Sequence, residues 1–188
     1  MSDFLMSCSC KGRRPKYVAS SATHSRPHLI ADLLRSRDVA RFLVAPAGFG
    51  KSTVAAEYAQ VVFSFRQTFW VNCESPCFLR DLDAGIIASR VAEIGGAGSL
   101  VVFDDLPRMD ASRVEAFSEV VDELLAAGSE VLATCTPTCD AYSDLHRDRV
   151  KLSARRFLLT DDEMKHTVRA TDSPHAKCRA ACVAWGSD

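Results

Sequence analysis

Apolar positions in this chain follow two spacings, and they alternate along it. Short runs in which nearly every residue is apolar, such as Phe42-Leu43-Val44, Phe69-Trp70-Val71, Leu100-Val101-Val102-Phe103 and Val131-Leu132-Ala133, have the length and continuity of strands buried on both faces. They predict strands at Arg41–Val44, Thr68–Asn72, Leu100–Phe103 and Glu130–Thr134, with a fifth at Arg149–Leu152. Between them the apolar residues recur at helical spacing. Leu29, Ile30, Leu33 and Leu34 form one face after Arg26-Pro27, and Val54, Ala55, Tyr58, Ala59 and Val62 form another, on a helix ending near Val62. A third predicted helix, Leu79–Ile94, carries Leu82, Ile86, Ile87, Val91 and Ile94, before Gly95-Gly96-Ala97-Gly98 breaks the chain. A fourth, Ser112–Ala127, carries Val114, Phe117, Val121, Leu124 and Leu125, with Gly128 at its C′ position. Thr160-Asp161-Asp162-Glu163 has the form of a capping box, and a last helix is expected from Ser173 to Trp185.

Strands alternating with helices imply an α/β fold with three layers, a parallel sheet of about five strands covered on both faces. The 188 residues suffice for one domain of this kind. Residues 1–25 lack periodicity and read as a disordered leader, residues 26–160 as the α/β domain, and residues 161–188 as a short helical segment opening a following domain.

Ligands in open parallel sheets bind beyond the carboxyl ends of the strands. Three polar segments fall there: the turn 45–53, Asp104-Asp105, and Thr134-Cys135-Thr136. The first reads Ala45-Pro46-Ala47-Gly48-Phe49-Gly50-Lys51-Ser52-Thr53, between a strand and a helix. Strand, Gly-rich turn and helix N-terminus in that order cradle phosphates with backbone N–H groups. Gly48 and Gly50 admit close approach, Lys51 is placed for the β- and γ-phosphates, and Ser52 for Mg²⁺. The full pattern has Gly where Ala45 stands. The acidic strand end follows about 50 residues later, with one strand and one helix between. That spacing predicts that another strand separates the two in the sheet, as in ATPases of the additional-strand type. Asp104 is the candidate Mg²⁺ residue, and Asp105 the candidate group to orient or deprotonate an attacking water.

Composition narrows the partners. The net charge of −1 recruits no nucleic acid, and no apolar stretch is long enough to span a bilayer, so the chain reads as cytoplasmic. The eight cysteines fall in pairs, Cys8/Cys10, Cys73/Cys77, Cys135/Cys139 and Cys178/Cys182. No C-x₂-C spacing occurs, and they read as small buried apolar residues rather than a metal site. Trp70 and Trp185 read as packing residues, and the five histidines form no ligand spacing.

Arg26-Pro27-His28-Leu29, the stretch 45–53, Val102-Phe103-Asp104-Asp105 and Leu159-Thr160-Asp161-Asp162-Glu163 resemble the P-loop ATPase module of STAND regulators, signal-transduction ATPases with numerous domains. Within them the resemblance is to the branch of the maltose-regulon activator and large LuxR-type transcription regulators, whose phosphate turn favours Ala-Pro-Ala-Gly-Phe-Gly-Lys. It covers residues 26–165 and implies an ATP/ADP switch with Mg²⁺: ADP-bound and closed at rest, opened to self-associate by inducer and ATP, and reset by slow hydrolysis. It also implies that Arg26 and Pro27 lie near the adenine, and that ATP is preferred; no Asn-Lys-x-Asp guanine motif is present.

The chain departs from that pattern in two ways. The family has an Arg after strand four, following Ser or Thr, to sense the γ-phosphate; here Thr134 is followed by Cys135. Arg147, Arg149, Arg155 and Arg156 are substitutes, or else solvated surface residues. The family's sensor repeats and DNA-reading domain also need hundreds more residues, so the expectation is a fragment, a truncated product or a free-standing relative that does not itself bind DNA. Two other readings stay open. A small-molecule P-loop kinase would use the Arg-containing segment 140–156 as a lid. A degenerate module would bind nucleotide without turnover.

Overall fold

The computed structural model describes residues 25–35, 39–62, 68–87, 89–90, 99–139 and 149–159. The leader up to residue 24, the glycine cluster 95–98, the segment 140–148 with Arg147, the capping box 160–163 and the expected last helix lie outside them. So do Cys8, Cys10, Cys178 and Cys182, His24, His146, His166 and His175, and Trp185. The chain divides into two compact units, Met1–Phe157 and Leu158–Asp188. The first unit is described below; of the second only residues 158 and 159 are described.

The elements in order are α1 (Pro27–Leu34), β1 (Ala40–Val44), α2 (Lys51–Val62), β2 (Thr68–Asn72), α3 (Pro76–Asp83), β3 (Leu100–Leu106), α4 (Ala111–Ala126), β4 (Glu130–Cys135), a 3-10 turn (Pro137–Cys139), β5 (Arg149–Ser153) and a second 3-10 turn (Ala154–Phe157). The strands form one parallel sheet in the order β2-β3-β4-β1-β5. As the motif spacing predicts, β4 separates the phosphate-turn strand β1 from the acidic strand β3.

Side chains alternate across each strand, and here both faces are apolar. Phe42, Val44, Val71, Val101, Phe103, Val131 and Ala133 pack on one face with Phe78 and Leu82 of α3 and Val114, Phe117, Val121 and Leu124 of α4. Phe103 and Phe117 meet edge to face, centroids 5.0 Å apart. Leu43, Trp70, Leu100, Val102, Leu132 and Leu152 pack on the other face with Leu29, Ile30 and Leu33 of α1 and Val54, Ala55 and Tyr58 of α2. The result is the expected three-layer α/β fold of the additional-strand kind, with two cores and the sheet between them. Among the described residues no helix is long and apolar enough to cross a membrane.

Two predicted elements are corrected. The helix expected at Leu79–Ile94 starts earlier and stops sooner, at Pro76–Asp83. Ser75 caps it by accepting the Cys77 amide at 3.4 Å, and Pro76 suits its first position. It ends because Gly85 takes φ 65°, with the Ala84 and Gly85 amides donating to the Arg80 and Leu82 carbonyls at 3.0 Å each. Helical backbone resumes at 86–87 and 89–90, so Leu82 and Ile86-Ile87 of the stripe fall in two pieces; Val91 and Ile94 lie outside the described residues. The third strand, expected to close at Phe103, continues through both aspartates to Leu106. Phe103 lies opposite Ala133 and Leu106 opposite Cys135, three steps on β3 against two on β4. This is a one-residue β-bulge. It keeps Phe103 and Leu106 in the same core although they are an odd number of residues apart.

Candidate functional site

The site is built at the carboxyl edge of β1, β4 and β3. Parallel pairing of β1 with β4 runs one step past the strands, the Ala45 amide donating to the Cys135 carbonyl at 3.2 Å. Ala45 is wholly buried in the core beneath α1 and α2. Its φ is not positive, so this position does not require glycine, which accounts for the departure from the usual pattern. Pro46, Ala47 and Gly48 are exposed, while Phe49 packs partly against the core. Gly48 and Gly50 take φ 84° and 80°, conformations that side chains rarely adopt, and nothing lies within 4 Å of where their Cβ atoms would be. The turn thus presents bare backbone to open space.

Helix α2 starts at Lys51, and the Val54 amide donates to the Gly50 carbonyl at 2.9 Å. The four amides before Val54, those of Gly50, Lys51, Ser52 and Thr53, lie beyond the reach of the helix's own carbonyls. Gly50 offers no side-chain cap, whereas Ser75 and Asp110 cap α3 and α4. Lys51 is buried, and its ammonium donates to the Pro46 carbonyl at 3.3 Å, reaching back across its own loop.

Ser52 and Asp104, 52 residues apart, meet above β4: the Ser52 hydroxyl donates to Asp104 Oδ1 at 2.8 Å. Thr134 of β4 lies between the two flanking strands, and its hydroxyl donates to the same Oδ1 at 2.7 Å. Asp104 is almost buried, while Asp105 is exposed. Among the described residues Asp105 is the non-glycine residue with positive φ, 56°. Sequence reading missed this conformation. A hydroxyl and a carboxylate oxygen held together are hard donors of the kind Mg²⁺ takes alongside water, so the residues present fit that ion.

Arg26 is tied to α2 and to the turn after β5. The Arg26 amide donates to Glu57 Oε2 of α2 at 3.1 Å, and its guanidinium donates to the Phe157 carbonyl at 2.8 Å and lies over the Phe157 ring at 5.7 Å. Among the substitute arginines, Arg149 starts β5 opposite Ala40, at the far edge of the sheet from the turn. Arg156 is ion-paired with Asp32 of α1, and Arg155 is exposed just past the carboxyl end of β5. Cys135, where the family pattern has arginine, is buried in the core. Cys73 is equally buried, whereas Cys77 and Cys139 are half-buried, and none of the four forms a disulfide.

The opposite, amino edge holds a polar cluster that sequence reading also missed. Arg41, 1% exposed, pairs with Glu130 at 3.0 Å, donates to the Leu33 carbonyl at 2.8 Å and lies over the Tyr58 ring at 5.5 Å. The Tyr58 hydroxyl donates to the same Glu130 oxygen at 2.8 Å. Burial pushes the Tyr58 phenol well above its ordinary range, with Arg41 opposing and the Glu130 hydrogen bond adding to the rise. The one sequence signal was an arginine inside an otherwise apolar strand.

No family model matches this chain, and no curated protein matches it. Among solved structures it is similar to the crystal structure of a Signal Transduction ATPase with Numerous Domains (STAND) protein with a tetratricopeptide repeat sensor from Pyrococcus horikoshii. The identity is 12% and the TM-score 0.49, over 87% of this chain but only 28% of that one. At that distance the likeness is one of backbone alone.

Proposed function

We propose that this chain is an ATP-binding, slowly hydrolysing switch module of a signal-transduction protein. The observation that carries the reading is the meeting of Ser52 and Asp104 beside a glycine turn whose backbone faces open space, across a sheet whose β1 and β3 are separated by β4. In this reading the amides of the turn and of the α2 N-terminus hold the phosphates, and Lys51 exchanges its Pro46 contact for the β- and γ-phosphates. Ser52 and Asp104 would hold Mg²⁺, which when bound offsets charge on the phosphate oxygens. Asp105, exposed at the strand end, orients the water and accepts its proton as the γ-phosphate is released. The resemblance of the 45–53 stretch to the maltose-regulon activator branch supports a cytoplasmic transcription regulator as the setting. Residues 26–160 would then be the nucleotide domain and residues 161–188 the start of the next. Self-association, sensor and DNA-binding partners belong to that setting, and direct nucleic-acid binding does not.

Calorimetric titration with Mg-ATP and Mg-ADP tests the reading, with Lys51→Ala as control and circular dichroism to verify folding. Binding that Lys51→Ala abolishes supports it, and an ADP preference supports a resting switch. A folded wild-type chain that binds neither nucleotide sinks it. Binding without turnover is the second reading, favoured by the buried Cys135 where a cation is expected; phosphate release assays separate the two. Phosphoryl transfer to an added acceptor would instead favour the kinase reading.

A further inference from the structure

At the bulge in β3 the side chain opposite bonds the backbone of Asp105. The Asp105 N–H donates to Thr134 Oγ1 at 2.8 Å. The same hydroxyl donates its single proton to Asp104 Oδ1 at 2.7 Å. A hydroxyl has one proton and two lone pairs, so both bonds form only in this direction. Thr134 is wholly buried, and its register position, between Ala133 and Cys135, places it opposite the extra residue of β3.

We infer that Thr134 is the positioning residue of this site: its hydroxyl ties the carboxylate of Asp104 to the backbone of Asp105. The inference rests on the hydrolytic reading above and extends it, because neither the motif nor the resemblance gives Thr134 this work. A bulge re-aims the side chain that follows it, and an αL residue sets that direction only while something holds the backbone in place. Here the Thr134 hydroxyl bonds the αL residue directly. Through it, the group proposed to contact the metal and the group proposed to take the water's proton are held in one hydrogen-bonded unit. Thr134 itself touches no reacting atom. Its loss should therefore slow the chemical step while leaving the phosphate cradle, Lys51 and Ser52 in place.

Steady-state ATP hydrolysis and ADP calorimetry on wild type, Thr134→Val and Thr134→Ser test this, with hydrogen exchange followed at the Asp105 amide. Thr134→Val should lower kcat on the order of 10- to 100-fold, the range for a misplaced catalytic group. KM and ADP affinity should stay within about twofold, the pattern of an interaction needed only in the transition state. Thr134→Ser, which keeps the hydroxyl, should retain both kcat and the slow exchange of the Asp105 amide, which Thr134→Val loses. If Thr134→Val does not fold, Thr134→Ala carries the same expectation. Unchanged kcat in the hydroxyl-free variants overturns the inference, as does equal loss in Thr134→Ser, or a parallel loss of ADP affinity marking a general packing defect. Wild type that binds nucleotide without turnover overturns the inference and the hydrolytic part of the proposed function but leaves nucleotide binding, whereas folded wild type that binds none overturns the proposed function entirely and the inference with it.

Discussion

At Asp105 the backbone enters a region that most side chains avoid, and aspartate is among the few that tolerate it. Asp105→Asn keeps that tolerance and removes the carboxylate. The expected result is a native melting curve, unchanged ADP affinity and ATP turnover reduced about 100-fold or more, as for loss of a general base. Asp105→Val should instead lower stability by about 1–2 kcal/mol, because a β-branched side chain clashes in this conformation. Urea unfolding would show it as a shifted midpoint with unchanged slope. The identity of the acidic pair was legible in the sequence, an apolar run ending in two carboxylates at the right distance from Lys51. Its conformation was not, because φ at Asp105 depends on the pairing register with β4, a contact between residues about 30 positions apart.

Among the elements, the strands other than β3 and the helix α4 were readable to within one residue, because continuous apolar runs and a 3.6-residue stripe are local signals. The helix α3 was misread because its stripe continues past Gly85, and a stripe does not register one left-handed glycine. The Ser75-Pro76 start signal is present in the sequence but was not read. The shortened α3 is joined to α4 at the surface: the Arg113 guanidinium donates to both Asp83 oxygens, at 2.7 and 2.8 Å, and to Asp110. Arg113 holds the Asp83 carboxyl below its usual range. A depressed carboxyl stabilises the fold above its unfolded pKa and loses that contribution as pH falls through the folded value. Asp83→Asn should therefore flatten the acid limb of the stability curve measured by urea unfolding between about pH 5 and 2. Deeper in the same layer, Phe117→Ala removes the edge-to-face partner of Phe103 and should cost about 3–5 kcal/mol.

Across the whole molecule the two edges of the sheet divide the work. The carboxyl edge gathers Lys51, Ser52, Asp104, Asp105 and Thr134; the amino edge holds the buried Arg41, Glu130 and Tyr58. Glu130→Ala strands the Arg41 charge in the core and should destabilise on the order of 3 kcal/mol, with nucleotide affinity unchanged in the folded fraction. The raised Tyr58 pKa stabilises the fold below the unfolded phenol value of 10.0, and that contribution is lost as pH rises beyond it. That a strand stands between β1 and β3 was foreseeable from motif spacing, since chain connectivity constrains it. The Arg41 cluster was not, because its members lie on three elements and no spacing relates them. The extra residue in β3 has a consequence for how such a chain could evolve. Removing Asp105 outright would leave Asp104 facing Thr134 and Leu106 facing Cys135 in an unbroken ladder, each core side chain still on its own face. A single codon deletion would thus erase the base and the backbone strain together. The lineage could pass from turnover to pure nucleotide sensing without first crossing an unfolded intermediate sequence.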